Sequence, residues 1–227
     1  MAKDKHDALE LDTRRAIYQY IKACPGAHLR KIHRAVGLPF GQVLYHLNYM
    51  EKNELIVVKK DGKFNRYFVK HLVGRKEKDV ISVLRHDIPR RVSILLLFRP
   101  RMTHKEILDF VDVSPSTLSF HLNKMVEMGV VNRETVGRES FYWLVDEKLT
   151  AKTLIMHRES FQSEVVDRFA DVWLSMSFRM GESPAEPSPA APAAPAAEAE
   201  EWRSLAVSVL GPVSTSPSTT ASAPAAP

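Results

Sequence analysis

The chain has 227 residues and a formal net charge of +5, from 32 Lys and Arg against 27 Asp and Glu, and a single cysteine. A lone Cys24 excludes an internal disulfide and a cysteine-based zinc cluster. No apolar run approaches the roughly 18 residues a bilayer span needs, Val92–Phe98 being far too short. The charged start MAKDKHDALELD lacks the apolar centre of a signal peptide.

Leu11 to Cys24 sets Ile17, Tyr20, Ile21 and Cys24 at helical spacing, and Pro25-Gly26 ends the pattern. Ala27–Leu29 reads as a short strand. Arg30 to Val36 reads as a second helix, with Ile32 and Val36 inward and Arg30, Lys31 and Arg34 outward. Gly37-Leu38-Pro39 turns the chain, because Gly supplies the bend and Pro cannot continue a helix. A third helix, Phe40 to Asn53, turns Val43, Leu44, Leu47 and Met50 inward and leaves Gln42, Tyr45, Tyr49 and Lys52 on the open face. Leu55–Lys60 and Phe64–Val69 flank Asp61-Gly62, a hairpin signal. That ribbon carries Lys59, Lys60, Lys63 and Arg66.

Arg75 to His86 spaces Val80, Ile81 and Leu84 as a connecting helix. Pro89 breaks the pattern, and Asp87 is placed to cap the next helix, Arg90–Phe98. Thr103 to Glu106 is a capping box opening a helix with Ile107, Leu108 and Val111. Ser114 is an N-cap, Pro115 fits the first helical position, and Leu118, Leu122, Met125 and Val126 share one side until Gly129 stops the helix. The strands Val130–Thr135 and Ser140–Val145 then flank the Val136–Glu139 turn with Gly137.

Asp146 to Met180 carries a long helical pattern with a break near Thr150. Phe161, Val165, Phe169, Val172 and Met176 form one stripe, widened by Ile155, Val166 and Trp173. The stripe either packs back on the preceding helices or joins two copies as a homodimer through 150–178. From 181 to 227 the chain is mostly Ala, Pro, Ser and Glu, too poor in large apolar residues to offset chain entropy, so disorder is expected. Trp202–Leu210, WRSLAVSVL, is the exception: a docking segment for a protein partner, or a chance apolar cluster in a loose tail.

Much of this is said twice. Sliding the sequence by 75 residues lays Phe40–Val69 on Pro115–Leu144 without a gap. His46-Leu47-Asn48 then meets His121-Leu122-Asn123, Met50 meets Met125, Gly62 meets Gly137 and Tyr67 meets Tyr142. Arg15, Pro25, Ile32 and Val36 likewise meet Arg90, Pro100, Ile107 and Val111. An internal repeat fixes the architecture ahead of any propensity argument. The expected fold class is mainly α with small β-hairpin wings (α+β). Two winged helix-turn-helix domains, 10–72 and 88–146, are joined by a connecting helix at 73–87. A C-terminal helix (147–180) for dimerisation or packing and a disordered tail (181–227) follow.

The order helix, turn, helix, wing, with HLNYMEKNELI and HLNKMVEMGVV closing the third helices, resembles the ArsR/MarR-like winged-helix regulators. The doubling resembles the tandem winged-helix transcriptional regulators common in archaea. The resemblance covers about residues 12–145, and the long helix after it is likened to the dimer helices of such regulators. It implies sequence-selective binding to double-stranded DNA and control of transcription, in the cytoplasm at the nucleoid. Charge agrees: Glu182, Glu186, Glu198, Glu200 and Glu201 against Arg203 give the tail −4, and removing this from +5 leaves +9 on residues 1–180.

A helix about 10–12 Å across enters the major groove while a basic wing follows neighbouring phosphates. The third helices, Phe40–Asn53 and Pro115–Met128, are the expected readers. Phosphate candidates are Arg30, Lys31, Arg34, Lys59, Lys60, Lys63 and Arg66, with Arg138 in the second domain. Base-edge candidates are Gln42, Tyr45 and Tyr49, then Ser116, Thr117, Phe120 and Lys124. Each also reads as part of a solvated helix face. His46 and His121 occupy matching places, as polar links near the DNA backbone or as half-buried histidines bonded within their own domains. The second wing alternates sign, Arg133-Glu134 and Arg138-Glu139, so the first domain is expected to supply most of the affinity.

With no Gly-rich phosphate loop and no His-Glu-x-x-His, and with Cys24 in a core pattern, neither an enzyme nor a catalytic residue nor a cofactor is expected. Cys24, His28 and His33 are the nearest approach to a metal cluster, and no metal site is expected from them. The competing reading is a protein-interaction scaffold in a transcription-initiation or chromosome-organising complex, a use to which tandem winged helices are also put.

Overall fold

A computed structural model describes residues 12–180 and 196–211. The first repeat runs α1 (Asp12–Ala23), β1 (Ala27–His28), α2 (Leu29–Val36), α3 (Phe40–Lys52), β2 (Ile56–Asp61) and β3 (Phe64–Val69). After α4 (Arg75–Leu84) the second runs α5 (Asp87–Phe98), β4 (Met102–Thr103), α6 (His104–Leu108), α7 (Pro115–Glu127), β5 (Val131–Val136) and β6 (Glu139–Leu144). Each element of the second repeat begins 75 residues after its counterpart, 12 against 87 through 64 against 139. The ends match as well, except that α6 stops at Leu108 where α2 reaches Val36.

Each repeat folds its ribbon into a three-stranded antiparallel sheet, β1-β3-β2 and β4-β6-β5. Ala27 pairs with Tyr67 and Met102 with Tyr142, so β4, where the sequence reading has only the capping box, is the counterpart of β1. That box is formed: Thr103 N–H donates to Glu106 Oε2 at 2.7 Å and Glu106 N–H to Thr103 Oγ1 at 3.2 Å. Ser114 caps α7 by accepting from the Thr117 N–H at 3.3 Å. The wings turn at Gly62 and Gly137, both at positive φ, where a side chain would be strained. Asp87 does not cap α5. The helix starts at Asp87 and takes Pro89 into its first turn, where no N–H is missed, while the carboxylate pairs with Arg90 and Arg91.

The first core gathers Ile17, Ile21, Ile32, Val43, Leu47 and Met50 under Ile56, Tyr67 and Val69. Gly26 lets the α1–β1 bend press on α4: it sits at φ 73°, and a Cβ there would come within 2.9 Å of Ile81. The second core repeats this with Leu95, Ile107, Leu118, Leu122, Met125, Val131 and Leu144, then continues into the C-terminal helices.

Those helices differ from expectation. The single long helix is three, α8 (Glu147–Met156), α9 (Arg158–Phe161) and α10 (Glu164–Met180). The chain breaks at His157 and again at Gln162, which adopts φ 51°, whereas Thr150 lies inside α8 with its hydroxyl on the Asp146 carbonyl. Phe161, Val165, Val166 and Phe169 are buried against the chain's own core, Phe169 packing edge-on against Phe98 and tilted against Trp173. The stripe behind the homodimer expectation is therefore covered from within; the Met176 side chain lies outside the described residues.

The tail also departs from disorder. Ala196–Leu210 forms α11, while the expectation for 181–195 and 212–227 falls outside the described residues. Trp202, Ala206, Val209 and Leu210 recur at helical spacing and are buried against α5 and α10. The Trp202 ring meets Phe110 at 5.2 Å, with the Arg99 guanidinium 5.1 Å above it. The apolar segment thus docks on the chain's own second repeat. Trp202→Ala is expected to cost about 3 kcal/mol in urea unfolding, the usual range for a buried aromatic. A loss under about 0.5 kcal/mol would mean that α11 is not docked.

Candidate nucleic-acid interface

Helix α3 buries Val43, His46, Leu47 and Met50, and at 3.6 residues per turn this turns Gly41, Tyr45 and Asn48 to the outside. Leu44, expected inward, is exposed, because the buried face is centred on Val43 and Leu47 and His46 takes the place beside them. Gln42 is exposed and Tyr45 is 61% exposed. Tyr49 is half-buried, its ring stacked under the Arg14 guanidinium at 3.8 Å, so its aromatic face is taken. Beside this surface Arg30, Arg34, Lys60 and Lys63 are exposed.

Three of the first domain's phosphate candidates are committed elsewhere. Arg66 is 3% exposed, donating from Nε to Asp61 at 2.6 Å and from Nη1 to the Gly26 carbonyl at 3.1 Å. It pairs with Lys59 across the ribbon, but its side chain points into the fold. Lys59 is ion-paired with Asp79. Lys31 donates to the Ser160 carbonyl at 2.9 Å, and burial, reinforced by Arg85, lowers its pKa.

In the second repeat, Ser116 is exposed and Thr117 half-buried, both bonded to the Ser114 hydroxyl. Phe120 is 65% exposed. Lys124 is not free to read a base: its ammonium lies 2.6 Å from Asp61 of the first wing. Arg133 donates to Asn123 and Arg101 pairs with Glu134, leaving Arg138 exposed at the wing tip. The positions matching Arg30, Lys31 and Arg34 are Lys105, Glu106 and Asp109, so positive charge is weaker beside this reader.

The paired histidines part company. His46 is buried with Nδ1 unpaired among the described atoms, and burial, then Arg14, lowers its pKa. His121 is half-buried and lines a cavity of about 130 Å³ with Val83, His86, Pro89, Phe120 and Met125; burial, then His86 and Lys124, lowers its pKa.

A family model described as an N-terminal HTH domain matches residues 11–81, and one described as a bacterial regulatory protein of the arsR family matches residues 89–133. The chain carries two helix-turn-helix domains in tandem. An uncharacterized HTH-type transcriptional regulator of Methanocaldococcus jannaschii is 28% identical over 142 residues, covering 62% of this chain and 35% of that protein. Another such regulator, from Bacillus subtilis, is 40% identical over 68 residues, covering 29% of this chain and 30% of that protein. The chain spans about a third of the length of these relatives. No helix among the described residues is long and apolar enough to cross a membrane.

Two contacts that the sequence does not announce hold the first domain in place, one to the second domain and one to the C-terminal helices. Asp61, read as a turn residue, is 4% exposed and accepts from Arg66, from His86 at 2.7 Å and from Lys124 at 2.6 Å. Burial pushes its carboxyl up, but the bonds from His86, Lys124 and Arg66 outweigh this and hold it well below the usual carboxylate range. Arg85, on the linker after α4, donates to the Pro25 carbonyl, to the Ser160 carbonyl at 2.5 Å and to the Ser160 hydroxyl, and stacks on Phe161. Burial pulls its pKa down to about 10, which leaves it charged at neutral pH.

Asp61→Asn leaves the buried Arg66 without its counter-charge and is expected to cost about 3–5 kcal/mol in urea unfolding at pH 7. Since the folded pKa is depressed, this contribution is fully present above the unfolded value of about 3.9 and is lost as pH falls below it. The wild-type advantage over Asp61→Asn should therefore stay flat from pH 8 to about pH 5 and shrink below about pH 4. An advantage already fading at pH 6 would contradict this reading.

Proposed function

We propose that the chain binds double-stranded DNA sequence-selectively and regulates transcription, in the cytoplasm at the nucleoid. In this reading α3 and α7 enter the major groove and the first domain supplies most of the phosphate contacts. The observation that carries it is the solvent-facing surface of α3, polar and aromatic, flanked by the exposed cations Arg30, Arg34, Lys60 and Lys63. A helix offering base-edge groups beside exposed cations suits a polyanion with readable edges. The helix-turn-helix matches and the printed names of both relatives support it.

The second domain contributes register and selectivity. Its reader keeps Ser116 and Phe120 open, and Arg138 is the wing cation it retains from the expected set. The weak charge beside α7 favours a second reading for that domain alone, as a protein contact.

Lys60→Glu with Lys63→Glu should weaken binding to duplexes of any sequence by a similar factor. Binding should become less salt-dependent by roughly one unit of log–log slope per lost contact. The matched change Arg133→Glu with Arg138→Glu should cost less, because Arg133 is already held by Asn123. A larger loss from the second-wing variant in gel-shift titrations would reverse the assignment. No duplex binding by the full chain, even at low salt, would leave the scaffold reading.

A further inference from the structure

Both reading helices lack a free cation where bases are read. Lysine or arginine bonded bidentately to guanine O6 and N7 is the commonest specific contact in the major groove. Helix α3 carries a single basic residue, Lys52, at its last position, away from the N-terminal turns that face base edges in this motif. Helix α7 carries one, Lys124, and it is held on the buried Asp61 carboxylate. What α3 offers instead is apolar surface, Phe40 at 48% exposed with Leu44 and Tyr45, interleaved with the amides Gln42 and Asn48. Helix α7 follows the pattern with the exposed Phe120.

Gly41 is a second, independent sign. It lies on the outward side of the first turn of α3, and a Cβ built there would meet no atom within 4 Å beyond its chain neighbours and its own helix backbone. Packing within the chain therefore gives no reason for glycine, although glycine costs a helix stability relative to alanine. A gap beside Tyr45 on the outward face suits close approach by something outside the chain.

We infer that the first reading helix selects A·T-rich duplex DNA through the C5-methyl groups of thymine. Leu44 and Tyr45 pack on the methyls, Gln42 or Asn48 pairs with adenine, and Gly41 makes room for the base edges. This rests on the duplex-reading proposal above and adds the class of sequence read. The flanking cations argue for a nucleic acid as the occupant of this apolar face; a protein partner is the other outcome of the test.

The full chain is used to select duplexes from a random pool. The enriched sequences are then resynthesised with deoxyuridine replacing thymidine, which removes the methyl and keeps every hydrogen bond. The enriched core is expected to be A·T-rich, and uracil to weaken binding about fourfold per buried methyl. Leu44→Ala with Tyr45→Ala should bind the thymine and uracil duplexes alike. Gly41→Ala should keep or raise the wild-type melting temperature yet bind the selected duplex more weakly, which separates recognition from folding. An enriched core with invariant guanines, or equal binding to thymine and uracil duplexes, would overturn the methyl reading and leave duplex binding intact. No enrichment and no binding at low salt would overturn both and assign the apolar face to a protein.

Discussion

A single buried carboxylate sets how the two helix-turn-helix domains can work. Asp61 sits at the end of the first wing's outgoing strand, yet its three partners come from three different places: Arg66 on the return strand, His86 at the junction of α4 and α5, and Lys124 on the second reading helix. A buried charge is tolerable only when paired and hydrogen-bonded, so these groups must converge for the structure to hold. The wing tip is thereby tied to the second domain and cannot swing as a free arm. Arg85 fastens the far side, joining Pro25 of the first domain to Ser160 ahead of α10.

That stitching uses up charge that would otherwise face outward. Arg66, Lys31, Lys59 and Lys124 all serve internal pairs or bonds, which leaves fewer of the expected cations exposed. Exposed charges contribute little to stability, so the fold does not depend on Arg30, Arg34, Lys60 and Lys63. The inequality of the two domains follows from the same accounting. The second repeat replaces Lys31 and Arg34 with Glu106 and Asp109, anions that repel phosphate, and Glu106 closes a capping box.

The architecture was legible in the sequence because it is written twice. The apolar period and the wing turns recur at a constant offset, and the signals are local: the Ser-Pro start and capping box of the second repeat and a glycine at each wing turn need no knowledge of the rest of the fold. What stayed hidden depends on contacts between distant segments. A ribbon of alternating residues does not reveal that Arg66 points inward to a carboxylate five residues back, nor that this carboxylate also holds a lysine from the other repeat. The docking of α11 was half visible. Trp202, Ala206 and Val209 carry the spacing of an amphipathic face, but the Pro/Ala-rich sequence before them outweighed it. The covered stripe on α10 follows from the same omission, since α11 is one of the elements that cover it.

The most direct measurement is the affinity of the full chain for one selected duplex across a range of salt concentrations. The cations left exposed among the expected phosphate contacts are Arg30, Arg34, Lys60, Lys63 and Arg138. At about 0.9 unit of log–log slope per neutralised phosphate, they give a slope of about −4.5, against about −7 if all eight expected cations reached the backbone. A slope near about −4.5 supports a basic first domain gripping duplex DNA while its remaining charge holds the two domains together. A slope near zero, or no binding at about 50 mM salt, would contradict it.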